Sequence, residues 1–266
     1  MTPAPPSRSS ILAKAPSPVR GLAVFEHRVA QPRATIICVH GGLDRAGSFA
    51  RLARRIVHFD VIAYDRRGYQ HSRSLGPSTI DEHVHDLVAL ARRENRPVMV
   101  FGHSFGGVVA LGAADAAPDY FSQIVVYESP LNWVLAREES QPLYADPATA
   151  AERFFKRMVS SAVWERLSPA ERESRRLDGP ALIADLTAVR TTSPFEVARI
   201  RVPTLYAYGD WERTPYYRSL TERLRALNPL FESVVIPTAR HGAHLSHPER
   251  LSTVLDDVWG ARCASA

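Results

Sequence analysis

Short apolar runs, rich in β-branched residues, recur along this chain and are separated by stretches with helical spacing. The runs at residues 34–39, 61–64, 98–101, 123–127, 203–208 and 233–237 are nearly continuous in apolar character rather than alternating, which predicts strands buried on both faces. A further strand region is expected over residues 22–29. Between these, the spacing predicts helices over residues 48–57 and 80–93, a small-residue helix just after residue 104, and a last helix from about Pro248. Thr79 or Ser78 stands at the N-cap of the second. Strands and helices alternating in this way form a parallel sheet covered on both faces, an α/β fold. From residue 131 to 199 the pattern changes to helical throughout, rich in Ala, Arg and Glu, with Phe154, Phe155, Met158, Trp164 and Leu167 on one apolar stripe.

Length and composition narrow the class. A chain of 266 residues holds a single large α/β core without dividing. No apolar run approaches the roughly 20 residues that span a bilayer, so no membrane partner is expected. Residues 1–18 are rich in Pro and Ser, lack the apolar core of a signal peptide, and read as a disordered leader. The two cysteines, Cys38 inside a predicted buried strand and Cys263 near the end, make no disulfide framework, which suits a reducing cytoplasm. The formal charge of +5 comes from arginines scattered as pairs near glutamates on predicted helices, the pattern of solvated faces rather than of a nucleic-acid surface.

Chemistry enters at residues 98–114. The apolar run there is driven through Gly102-His103-Ser104-Phe105-Gly106 straight into a helical pattern, the arrangement of a nucleophile elbow. Side chains in place of the two glycines would collide with the neighbouring strand and helix, and the sharp turn lifts the Ser104 hydroxyl clear at the positive end of a helix. The strand at 34–39 runs into His40-Gly41-Gly42-Leu43, whose glycines let backbone N–H groups face a ligand. Downstream, the strand at 203–208 ends in Gly209-Asp210-Trp211-Glu212, a turn with two carboxylates, and His241 follows the last strand as the natural base.

Taken in this order, nucleophile, then acid, then histidine, the chain resembles the α/β-hydrolase superfamily over nearly its whole length. Asp65-Arg66-Arg67-Gly68-Tyr69-Gln70-His71-Ser72 is similar to the family's Asp-x-Arg-Gly-x-Gly-x-Ser turn, with Gln70 standing where the family has glycine. The resemblance implies an α/β-hydrolase fold with a core of residues 19–130 and 200–266 and a helical cap at 131–199. It implies an oxyanion hole made by the N–H groups of Gly42 and Phe105. For the acid, family strands commonly end in Gly-x-x-Asp, and counting from Gly209 favours Glu212; Asp210 is the alternative. Glu128 is a third candidate, because some relatives draw the acid from the end of the sixth strand, although a charge capping that strand is the simpler reading.

The implied activity is hydrolysis of a carboxylic ester, lactone or thioester through an acyl-enzyme on Ser104, since Ser rather than Asp at the elbow disfavours the branches that use a carboxylate nucleophile. Carbon–carbon bond hydrolysis, cofactor-free perhydrolysis and a ligand-binding receptor remain as alternatives on the same fold. Leu131, Trp133, Phe155 and Trp164 are expected to line the pocket of a small-molecule substrate with an apolar acyl group or a ring. The mechanism calls for no metal and no organic cofactor. His83 and His85, two apart on a predicted helix, point to different faces and make a poor metal pair. His244 lies where the family often has a histidine, and its simplest role is packing.

Overall fold

The computed structural model describes residues 11–135, 146–191 and 193–263. Among them, eight strands form one sheet in the order β1-β2-β4-β3-β5-β6-β7-β8. They are β1 (Ala13–Ala15), β2 (Val24–His27), β3 (Ala34–Val39), β4 (Phe59–Tyr64), β5 (Val98–His103), β6 (Phe121–Tyr127), β7 (Thr204–Gly209) and β8 (Phe231–Ile236). Strands β3 to β8 are parallel, and β2 and β1 join one edge by antiparallel pairing. Every residue of β3, β4, β5, β6 and β7 is buried, which is why their sequences are continuous rather than alternating.

The helices are α1 (Ala50–Ala53), α2 (Ile80–Arg92), α3 (Phe105–Ala116), α4 (Pro147–Met158), α5 (Ser161–Arg166), α6 (Pro169–Leu177), α7 (Gly179–Thr191), α8 (Thr214–Leu227), α9 (Ala243–Ser246) and α10 (Pro248–Cys263). Because strand side chains alternate, Ile37 and Val39 pack with Leu87, Val109 and Leu220 on one face, and Ile36 and Cys38 pack with Leu52, Leu251 and Leu255 on the other. The helix α2 starts where the sequence places it, with Thr79 as N-cap: its hydroxyl accepts the Glu82 N–H, and the Glu82 carboxylate accepts the Thr79 N–H at 2.9 Å. No helix among the described residues is long and apolar enough to cross a membrane.

Three elements differ from the pattern reading. Residues 11–18 of the expected leader are part of the fold, and its residues 1–10 lie outside the described residues: β1 pairs with β2, and Leu12 is buried. A three-residue strand is too short to leave a periodic signal. The helix expected over 48–57 is a 3-10 turn at Ala46–Phe49 followed by the four residues of α1, because the chain must turn back at once into β4. That strand begins earlier than its apolar run, at Phe59; the polar Asp60 hides it, since its carboxylate accepts the Val29 N–H at 2.8 Å and an Arg28 N–H at 3.1 Å.

Helices α4 to α7 lie between β6 and β7 in sequence and pack Ala151, Phe155, Trp164, Ala181 and Leu182 into a small core that they share with Leu43 and Tyr69 of the sheet domain. Residues 136–145 at the start of this insertion lie outside the described residues. Buried charge fastens it to the sheet domain. Asp185 of α7 accepts from Arg66 Nη2 at 2.6 Å and from the Tyr69 hydroxyl at 2.7 Å, and Asp178 accepts from Arg73 at 2.6 Å and from the Gln70 N–H at 3.2 Å. Gln70 has φ +46°, a left-handed conformation that favours glycine, the residue the resemblance implies at this turn.

Candidate active site

At the carboxyl end of β5 the chain turns through Ser104 directly into α3. Ser104 has φ +53° and ψ −123°, a conformation costly for a residue with a side chain. Its N–H is held by the Tyr127 carbonyl at 2.8 Å, and its carbonyl accepts the Gly107 N–H at 2.9 Å. A Cβ on Gly106 would lie 2.1 Å from the Val39 carbonyl oxygen, and one on Gly102 would lie 2.6 Å from Gly107 Cα. The turn therefore closes only with glycine at both positions. Phe105 opens α3, so its N–H has no acceptor within the helix. Leu43 and Glu128 also have positive φ, at +53° and +47°, so unusual backbone gathers around this turn.

His241 lies in the loop after β8 and is 9% exposed. Its Nδ1 is 2.8 Å from Glu128 Oε2, at the end of β6. Glu128 is fully buried, and its other contacts are all donors: the Gly209 N–H at 3.0 Å, Trp211 Nε1 at 2.7 Å and the Tyr217 hydroxyl at 3.2 Å. Burial alone would push this carboxyl up, but the hydrogen bond and charge of His241, with the donors from Gly209 and Trp211, hold it below its ordinary range. It is an anion. The two carboxylates favoured by counting along the β7 turn, Glu212 and Asp210, are both exposed, and the carboxylate that meets His241 is Glu128. The physical reason lies in strand order: β6 lies between the elbow strand and β7, so a residue ending β6 is directed at the histidine loop, while the β7 turn carries its acidic side chains outward into solvent. A glutamate directly after a wholly buried strand was the signal available in the sequence.

Further contacts fix the two loops. His103 Nε2 donates to the His241 carbonyl at 2.7 Å, and the Tyr127 hydroxyl donates to the Arg240 carbonyl at 2.8 Å. On the other side, Arg66 Nε donates to the His40 carbonyl at 2.8 Å and the Arg66 N–H donates to His40 Nε2 at 2.9 Å, which anchors the loop carrying Gly42. Burial, with the nearby Arg66 charge, lowers the His40 pKa to about 4 and keeps that ring neutral.

The four expected pocket residues are placed differently. Leu131 is buried in the sheet-domain core, and Trp133 packs edge-on to Phe195 with ring centroids 5.2 Å apart. Phe155 and Trp164 pack on each other inside the helical insertion, at 5.3 Å. Leu182 and Phe154 of the insertion approach the Gly42 loop: a Cβ on Gly42 would lie 2.9 Å from Leu182 Cδ1 and 3.6 Å from Phe154 Cζ. The sequence placed Phe154 on the stripe but not toward the site, and Leu182 was missed because α7 is apolar on more than one face.

The sequence model described as "Alpha/beta hydrolase family" matches residues 36–254. Lipase LipV of Mycobacterium tuberculosis is 34% identical over 125 residues, which are 44% of this chain and 48% of that protein, so the chain spans about half the length of this relative. The pimeloyl-[acyl-carrier protein] methyl ester esterase of Aliivibrio fischeri is 23% identical over 83% of this chain and 91% of its own length. Among solved structures, a hydrolase from Pseudomonas aeruginosa PA01 superposes with a TM-score of 0.71 at 22% identity, covering 95% of this chain and 100% of that one, a likeness of fold.

Proposed function

This chain belongs to the alpha/beta hydrolase family, and from that premise we propose that it is a serine hydrolase that cleaves a carboxylic ester, lactone or thioester through an acyl-enzyme on Ser104. The observation that carries the reading is the buried Glu128–His241 pair, whose histidine loop is bonded to His103, the neighbour of a serine held in a strained turn. A lipase and a methyl ester esterase among the relatives support the ester class.

The chemistry follows from the contacts. Glu128 can only accept, so His241 Nδ1 carries a proton and Nε2 presents its lone pair as the base. His241 takes the Ser104 proton as Oγ attacks the carbonyl carbon, and Glu128 stabilises the imidazolium that forms. The oxyanion is received by the N–H groups of Phe105 and Gly42, each contributing about 3–4 kcal/mol to lowering the barrier. His241 then returns the proton to the leaving alcohol or thiol, and water, activated the same way, releases the acid. The insertion acts as a cap, with Phe154 and Leu182 over the oxyanion loop, which favours an apolar acyl group or ring on a small-molecule substrate.

Intact-mass analysis after exposure to a small aryl phosphonate tests the nucleophile. One adduct is expected, on Ser104, and Ser104→Ala should abolish it and lower aryl-ester turnover by three or more orders of magnitude, roughly the cost of losing a triad member. A folded alanine variant that keeps more than a tenth of the activity would refute the proposal.

A further inference from the structure

Behind the elbow stand three side chains that the steps above do not use: Asp44, just past the oxyanion loop; His103, before Ser104; and His244 in α9. One carboxylate oxygen and one nitrogen from each ring lie within 4.8 Å of one another. His103 is 6% exposed and His244 1%, while the Asp44 side chain is 15% exposed and gives the cluster its opening to solvent.

The hydrogen bonds determine which atoms carry protons. His103 Nε2 bonds to a carbonyl, which only accepts, so that nitrogen holds the proton. With Nε2 protonated, the neutral ring carries its lone pair on Nδ1. This lone pair is buried, has no hydrogen-bond partner among the described residues, and lies 3.8 Å from Asp44 Oδ2. Asp44 Oδ2 is met by His244 Nε2 at 3.1 Å and by the Ser48 hydroxyl at 3.1 Å. Along the line from His103 Nδ1 to Asp44 Oδ2, two electron-pair donors face each other, with the other donors to Asp44 coming from His244 and Ser48. A cation placed there removes the repulsion.

We propose that Asp44, His103 and His244 bind one divalent transition-metal ion of the zinc class. Two imidazole nitrogens and one carboxylate oxygen, with a fourth position open to water, are a donor set that suits zinc rather than calcium or magnesium. The Nε2 of His244 lies 3.1 Å from Asp44 Oδ2. With His103 Nδ1 at 3.8 Å, two of the three ligand spacings lie near the ~3.4 Å edge of a tetrahedron with metal–ligand bonds near 2.1 Å, and all three lie within 4.8 Å. The bond from His103 Nε2 to the His241 carbonyl is the kind of outer contact that orients a metal-bound ring. Gly41 leaves the nitrogen uncovered, since a Cβ there would lie 3.3 Å from His103 Nδ1. On binding, the His244 proton moves from Nε2 to Nδ1, which is buried with no hydrogen-bond partner among the described residues, and the metal takes the Nε2 lone pair. Ser48 Oγ, which donates to Asp44 Oδ2 at 3.1 Å, stays as a support behind the carboxylate. The ion would clasp the oxyanion loop, the elbow and the histidine loop together without entering the acyl-transfer steps.

Calorimetric titration of the chelator-treated full chain with zinc chloride is expected to show one equivalent bound and a melting temperature raised by about 3–8 °C. Asp44→Asn and His244→Gln should each weaken binding at least tenfold, whereas His241→Gln, which keeps all three ligands, should bind as the wild type does. No binding, or binding that survives both ligand substitutions, overturns the proposal. If those two variants fail to fold, anomalous scattering from zinc-soaked wild-type crystals decides. An ion about 2.0–2.2 Å from all three residues supports the site, and an ion elsewhere overturns it.

Discussion

Glu128 is surrounded by donors instead of water, and this sets what its neighbours are for. Trp211 Nε1 and the Gly209 N–H hold Oε1, leaving Oε2 to His241 and Tyr217. Trp211→Phe removes one donor from a buried anion, and a hydrogen bond to a charged group is worth about 1.5–3 kcal/mol. That variant should lose about this much unfolding free energy in urea and roughly tenfold in aryl-ester turnover; a variant equal to wild type in both would show that Trp211 does not support the acid. Of the proposed triad, Ser104 and His241 were legible in the sequence because local pattern alone marks them: a glycine pair at a strand-to-helix switch, and a histidine in the loop after the last strand. The acid was not. Counting from Gly209 measures position along the chain, whereas the choice among Glu212, Asp210 and Glu128 depends on which strand end faces the histidine loop, a property of sheet order.

The elements around the site are joined by charge as much as by apolar packing. Arg66 is wholly buried, lies over the Phe105 ring at 4.7 Å, donates to the His40 carbonyl, and is neutralised by Asp185 from α7. Removing one partner of such a pair leaves a stranded charge, at a cost of about 3–5 kcal/mol. Asp185→Ala is therefore expected to lower unfolding free energy by that amount and to reduce turnover as well, since Arg66 holds the loop of Gly42; a loss below about 1 kcal/mol in urea denaturation would contradict this. Helical spacing announced the insertion but not its orientation. Phe154 and Phe155 are adjacent, so they point about 100° apart, and the stripe alone did not say that Phe155 turns inward to Trp164 while Phe154 turns to the Gly42 loop.

For the whole molecule, one parallel sheet places the parts. Gly42 follows β3, Ser104 follows β5, Glu128 follows β6 and His241 follows β8, so all four gather at the carboxyl ends of the strands, where open α/β sheets bind ligands. The buried strands were readable because burial on both faces demands continuous apolar sequence; the antiparallel β1 was not, because three residues at a sheet edge make no such demand. The most direct test of this assembly is the turnover of a small aryl ester by Glu128→Gln beside Asp210→Asn and Glu212→Gln. A neutral amide at position 128 can no longer fix the tautomer of His241 or stabilise its cation, so kcat/KM should fall by about 10³–10⁴-fold, with the other two variants within about threefold of wild type. A Glu128→Gln enzyme that keeps more than a tenth of its activity, or a greater loss in either β7 variant, would contradict the account.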